Sequence, residues 1–244
     1  MGNSELEAKE RIINAAVKLF AEKGFDGTTV SEIAEQAQVN KALIYYYFKS
    51  KADILDYLVQ TLLTNVTKFT MDFVHPTIEK MVMDGSLTVE SDQLHFRDLT
   101  ASESFVNTIN EYYGKLLDYA LEHRQIVRII MLESLKENEA HNNLFKMLDF
   151  SRNKDERIYS SISQVEHAYN YSNDLELFRL FFMLIPVLNF AAYCDDYSKI
   201  TKFSEEVLKD SFIRSFKVII SSIIKGSDIL LHNNNHPERS DEDR

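Results

Sequence analysis

Apolar residues recur at helical spacing along most of this 244-residue chain. Two-residue alternation is scarce, so the pattern predicts an all-α protein. A first helix is expected from Leu6 to Lys23, with Ile13, Ala16, Val17 and Phe20 as its inward stripe. Gly24 ends it as a C′ residue, and Phe25-Asp26-Gly27 links it to the second helix. Val30, Ile33, Ala34 and Ala37 share one face of that second, short helix, and Thr29-x-x-Glu32 supplies a capping box ahead of it. Asn40 is a good N-cap for a third helix that starts at Lys41, with Ile44 and Phe48 inward and Tyr47 beside them. Its outward face is then Lys41, Ala42, Tyr45 and Tyr46. One cation, one small residue and two phenols on a short exposed helix suit a DNA major groove, where side chains meet base edges and phosphates.

Further along, Ser50-x-x-Asp53 opens a long helix from Lys51 to about Val74, and His75-Pro76 is expected to break it. Pro76–Met83 forms one short helix ended by Asp84-Gly85, while the polar, poorly periodic stretch Ser86–Ser102 predicts a long loop. Helices resume over Glu103–His123, Gln125–Lys136 and Ala140–Tyr169, with a turn at Tyr171–Asp174. The Gln125–Lys136 segment is apolar almost all round, which predicts a helix inside a bundle. The last two helices, Leu175–Tyr193 and Ser204–Lys225, carry more apolar surface than one face needs. Leu208, Phe212, Phe216, Ile219 and Ile223 form a stripe, with Val207, Val218 and Ile220 off it. Such a surplus predicts a partner subunit, and the stripe is the candidate dimer interface. Residues 232–244 are polar and charged and are expected to form a disordered tail.

Charge adds one distinction. The net charge is −11, yet residues 1–51 carry seven Lys+Arg and seven Asp+Glu, so the acidity belongs to residues 52–244. A neutral head on an acidic body suits a protein that touches DNA only at one end. The N-terminus has no apolar signal region, and the longest uncharged run, Leu180–Cys194, is short of the ~20 residues that span a bilayer. These features predict a cytoplasmic protein with no membrane partner.

The stretch from Thr28 to Lys51, TTVSEIAEQAQVNKALIYYYFKSK, resembles the DNA-binding domain of the TetR family of transcriptional regulators. The upstream AAVKLFAEKGFDG is similar to that family's first helix and its Gly-rich link. The likeness covers roughly Arg11 to Leu55. Two residues depart from it: Gln38 stands at a turn position where the family has Gly, and Ala42-Leu43 replaces a common Gly-Thr. The resemblance implies a three-helix helix-turn-helix domain over 1–51 and a larger helical bundle over 52–231 for ligand binding and dimerisation. It also implies a repressor that works as a homodimer and leaves its operator DNA when a small molecule binds the C-terminal bundle. The alternative is a helical sensor or interaction protein that keeps a vestigial motif.

In such a domain, Thr28 and Thr29 at the second helix's N-terminus are candidates for holding phosphate. Asn40, Lys41, Ala42, Tyr45 and Tyr46 are candidates for bases and flanking phosphates, and Tyr47 and Lys51 for anchoring the backbone. Most of the chain's Phe and Tyr lie in the body, where Tyr112, Tyr113, Phe178, Phe182 and Tyr193 are candidates for lining a largely apolar ligand cavity. Ordinary core burial is the commoner use of each. Glu133, a carboxylate in the most apolar helix, is a further candidate at that cavity as a ligand counter-ion, although a salt bridge to Arg128 or Lys136 is the commoner use of such a group. Cys194 reads as a small buried hydrophobe. His232 and His236 are four apart, but they lie in the polar tail. No cofactor or metal is expected, and the sequence lacks the GxSxG, P-loop, GxGxxG and HExxH signatures of common enzymes.

Overall fold

The computed structural model of the chain describes residues 3–90, 93–136, 177 and 179–231. The expectations for Ala140–Tyr169, Tyr171–Asp174, Phe178 and residues 232–244 lie outside these. Helix α1 runs over Asn3–Lys23, α2 over Val30–Gln36, α3 over Lys41–Tyr47 and α4 over Lys51–Phe69. Then come α5 (His75–Met83), strands β1 (Leu87–Glu90) and β2 (Gln93–Phe96), α6 (Leu99–Glu122), α7 (Arg124–Ser134), α8 (Ile185–Thr201) and α9 (Glu205–Leu231). The protein is helical, with an N-terminal helix-turn-helix and a larger helical body.

Helices α1 to α3 and the start of α4 close around one apolar core. Ile12, Ala16 and Phe20 of α1 meet Ile33 and Ala37, Ile44 and Phe48, and Ile54 and Leu55 of α4. The inward stripe of α1 is therefore Ile12, Ala15, Ala16, Leu19 and Phe20. Ile13 and Val17, expected inward, are only half-buried, because the three-helix core meets α1 about one residue round its axis. The N-terminal caps form as expected. Thr29 and Glu32 make both halves of the capping box, and Asn40 Oδ1 accepts from Leu43 N at 2.7 Å. Hydrogen bonds from Lys23 and then from Thr29 hold the Glu32 carboxyl down at about 2, so this cap persists well into acid. Gln38 carries the turn at φ +55°, a left-handed conformation normally left to Gly. Arg11 Nε reaches over from α1 to the Ala37 carbonyl at 3.2 Å, satisfying an acceptor at the end of α2.

The body has a second core in which Val59, Leu62 and Leu63 of α4 meet Leu117 and Leu121 of α6, Val127 and Ile130 of α7, and Val187, Phe190 and Ala191 of α8. Arg124 fastens this corner by ion pairs of 2.7 Å to both Asp195 and Glu205. Pro76 marks a new helix, α5, but leaves no gap in the helical run. A five-residue π segment, Thr70–Val74, joins α4 to α5, and Pro76 is the second residue of α5. A second π segment, Arg179–Leu184, precedes α8, with Pro186 at its start. A widened turn before each proline relieves the clash of its ring with the carbonyl four residues back.

The expected loop over Ser86–Ser102 is instead a β-hairpin and the first turn of α6. β1 and β2 pair antiparallel with Leu87 opposite Phe96, and Asp98 caps α6 through Ala101 N at 2.8 Å. The hairpin covers a small third core of Met81, Leu87, Ala101 and Phe105. Nor is α7 interior all round, since Leu132 and Leu135 are 50% and 82% exposed. The stretch Leu180–Thr201 is long and apolar enough to cross a membrane by length and composition. Its apolar residues are used in the core, where Val187, Leu188, Phe190, Ala191, Ala192 and Cys194 are buried.

The strained turn gives a first prediction. Gln38→Gly should raise the melting temperature by about 1–4 °C, since left-handed backbone costs a non-Gly residue ~1–2 kcal/mol and glycine's added unfolded-state entropy offsets part of it. Calorimetry showing no rise, or a fall, would mean that this turn is not held at positive φ.

Candidate nucleic-acid interface

The recognition surface is built on α3, a helix of two turns whose direction depends on its mountings. Ile44 is fully buried and Phe48 is 3% exposed, so one side of α3 is clamped into the head's core. The opposite side carries Lys41, Ala42, Tyr45 and Tyr46, all exposed, with Tyr45 at 56% and Tyr46 at 68%. Tyr46 stands edge-on to Tyr47 at a centroid separation of 5.0 Å. The Tyr47 ring packs against the head's core and serves as the mount for Tyr46. Asn40 is exposed, and its side chain is engaged as the N-cap. Lys49, just past α3, is also exposed and adds a cation that helical periodicity does not single out. Its place in Lys-Ser-Lys beside the recognition helix is the signal that points to it.

Three residues expected at phosphates are occupied elsewhere. Thr28 is 1% exposed, and its hydroxyl donates to the Gly24 carbonyl at 2.8 Å, so it fastens the α1–α2 loop from inside. The Thr29 backbone N–H donates to Glu32 Oε2 at 2.8 Å, and its hydroxyl donates to the same oxygen. The Glu32 carboxylate thus already fills the anion position at the N-terminus of α2. Lys51 is turned inward: its ammonium donates to the carbonyls of Phe25 at 2.6 Å, Thr28 at 2.8 Å and Asp26 at 3.4 Å. It also lies 4.4 Å from the centre of the Phe25 ring. An ammonium has three donors, and here all three close the α1–α2 loop onto α4.

The body's candidates do not converge on one cavity. Tyr113 of α6 meets Phe216 of α9 at 4.3 Å between centroids, with Tyr112 edge-on to Tyr113. Tyr193 lies instead between α7 and α8, and Phe182 is 50% exposed on the π segment before α8. Glu133 is buried and pairs with Lys136 at 2.7 Å, as expected, while Arg128 pairs with Asp196 at 3.1 Å. A groove of ≈ 220 Å³ does open between α7 and α8, lined by Arg128, Met131, Leu132, Ser134, Leu135, Ile185, Leu188, Ala192 and Tyr193. In the proposed dimer stripe, Phe216 is 2% exposed, and Leu208 and Phe212 pack on the chain's own core. They cover α6 and α8, which leaves Val207, Val218 and Ile219 as the outward apolar residues among the described side chains of α9, those up to residue 222. The Ile223 side chain lies outside the described residues.

A short helix clamped on one side and presenting cations and phenols on the other is the reading head of a helix-turn-helix DNA-binding protein. The sequence profile of bacterial regulatory proteins of the tetR family matches residues 12–58. The HTH-type transcriptional regulator YttP of Bacillus subtilis is 32% identical over 145 residues, which is 55% of this chain and 68% of YttP. The chain therefore belongs to the TetR family and is a DNA-binding transcriptional regulator. The negative regulator of the biofilm operon icaADBC in Staphylococcus aureus, IcaR, is 35% identical over 86 residues, covering 31% of this chain and 46% of IcaR. Two solved structures share the fold. A Clostridium perfringens protein described as a fatty acid metabolism regulator has a TM-score of 0.55 at 20% identity over 85% of this chain and 97% of that one. Salmonella enterica GusR has 0.55 at 15% over 89% and 95%.

The inward course of Lys51 yields a test. Lys51→Met should lower the melting temperature, because it strips a charged donor from three carbonyls, each such bond being worth ~1.5–3 kcal/mol. It should leave the slope of log affinity against log salt unchanged, whereas losing a phosphate contact would reduce that slope by about 0.9. A reduced slope in salt-titrated binding would put Lys51 on the DNA.

Proposed function

We propose that this regulator is a cytoplasmic repressor that binds a two-fold operator as a homodimer and is released by a small, largely apolar molecule. The observation that carries the DNA-reading part is the outward face of α3, where Lys41, Ala42, Tyr45 and Tyr46 stand exposed on a helix clamped by Ile44 and Phe48. Lys41, with Asn40 at the helix start, meets phosphate and base edges. Tyr45 and Tyr46 read bases through ring and hydroxyl, for instance against a thymine methyl. The negative regulator among the relatives supports repression. The α7–α8 groove, whose lining is apolar apart from Arg128, Ser134 and the Tyr193 hydroxyl, supports an apolar effector. At ≈ 220 Å³ it is smaller than the ~300–1,000 Å³ of common ligand pockets, so it admits a small molecule or opens further on binding. The role is one of binding, not catalysis.

Dimerisation is assigned to the outward side of α9, where Val207 and Val218 are 47% and 66% exposed. Two heads related by a two-fold axis require a roughly palindromic site with half-sites about 34–36 Å apart, or a longer spacing set by the body. Val218→Asp should give a soluble monomer in sedimentation, because the side chain is outside the chain's own core. A variant that stays dimeric would move the interface elsewhere.

Selection of bound sequences from random duplex DNA tests the main reading, with a palindromic consensus expected. On that operator, Tyr46→Ala should cost about 1–3 kcal/mol of affinity and far less on random DNA. Equal losses on both would make Tyr46 a backbone contact, and no enriched sequence would sink the regulator's operator-reading role.

A further inference from the structure

We propose that Lys136, a residue of the body, is a positioning residue for DNA binding: through Asp26 it fixes the α1–α2 loop and thereby the seat of the recognition helix. This rests on the DNA-reading role assigned above and adds the route by which the body governs it. Lys136 Nζ lies 2.5 Å from Asp26 Oδ2 and 2.7 Å from Glu133 Oε1. Ile129, Glu133 and Lys136 stand four and three residues apart, on one face of α7 and its end, and that face is turned to the head, since Ile129 is part of the head's core. Glu133 is 3% exposed, and its second oxygen is buried without a hydrogen-bond partner. A carboxylate so placed keeps its cation close, so the Lys136 ammonium is held at the loop and not swung into solvent.

The loop is gripped from both sides. Lys51 of α4 takes the carbonyls of Phe25, Asp26 and Thr28, and Lys136 takes the Asp26 carboxylate. Thr28 and the cap at Thr29 lie in or directly after this loop, so the entry to α2 is set by two lysines from elsewhere in the chain, one on α4 and one just past the end of α7. The other side of α7 forms a wall of the α7–α8 groove through Arg128, Met131 and Leu135. A molecule that enters the groove therefore leans on the helix whose end holds the loop. A shift of α7 along this bridge alters the seat of α3 without any contact between ligand and head.

Asp26 supplies a test with an unusual sign. Its side chain is 72% exposed, and a carboxylate on a DNA-binding head repels phosphate. Asp26→Asn would by charge alone tighten DNA binding; the bridge predicts operator affinity weaker by about three- to fivefold, as loss of a partly exposed ion pair allows, with the salt slope unchanged. Lys136→Gln should lose a similar factor, the double variant no more than either single, and Lys136→Arg should keep wild-type affinity. If Lys136→Gln fails to fold because Glu133 is left charged, Glu133→Gln with Lys136→Gln restores the comparison. Amide hydrogen exchange of residues 25–29 without DNA should quicken in Asp26→Asn. Tighter binding by Asp26→Asn, additive losses in the double variant, or unchanged exchange would overturn the proposal. Quickened exchange in a chain that binds no duplex would uphold the bridge and remove the DNA-reading role instead.

Discussion

Ile129 is 3% exposed, and the residues that bury it belong to the head while its helix belongs to the body. Pulling the two apart would expose this side chain at a cost of about 1.5–3 kcal/mol before any polar contact is counted. Helix α4 makes the second crossing, with Ile54 and Leu55 in the head's core and Val59, Leu62 and Leu63 in the body's. Two rods, one continuous in the chain and one docked against it, thus fix the head. Neither crossing is a flexible linker, so rearrangement in the body has a direct mechanical route to α3.

What these rods position is a small surface, because the polar groups at the turns and helix ends of the head are turned to its own construction. Arg11 closes the end of α2, Glu32 and Thr29 close its beginning, Asn40 opens α3, and Lys51 ties the preceding loop. Little beyond Lys41, Ala42, Tyr45, Tyr46 and Lys49 remains on the outward side of α3 and its end. A fold this short cannot hold its reading helix by apolar burial alone. It uses polar side chains as fasteners, and a residue type that suggests phosphate binding is then as apt to be a cap.

That ambiguity explains what is legible in the sequence. Helical period, caps and the N-terminal motif locate α1 to α4, since each carries a local signal. Thr28 and Lys51 look like phosphate contacts in the sequence because their true partners are carbonyls brought close only by the fold, Lys51 reaching 26 residues back to Phe25. The hairpin is hidden because two four-residue strands give too short a run for period two to show among Glu, Ser, Asp and Gln. The stripe Leu208–Phe212–Phe216 is visible as apolar, but no pattern tells whether a helix buries its face in its own chain or in a partner. The Lys136–Asp26 bridge, 110 residues apart in sequence, leaves no trace there.

Charge decides how much this positioning matters. The chain carries −11 overall and its first 51 residues balance to zero, so the head has no net positive charge with which to hold DNA in many orientations. Non-specific affinity grows with the number of phosphates neutralised, and a head without net positive charge favours a low one. Operator affinity must then come from a few directed contacts per head, joined through the proposed dimer so that the second head binds at high effective concentration. That gain exists only while both recognition helices reach their half-sites together. An acidic body would also repel DNA as soon as a head tilts away from the groove. In the proposed dimeric mode, this charge distribution makes occupancy sensitive to small changes in head orientation, which a strongly basic head would blunt.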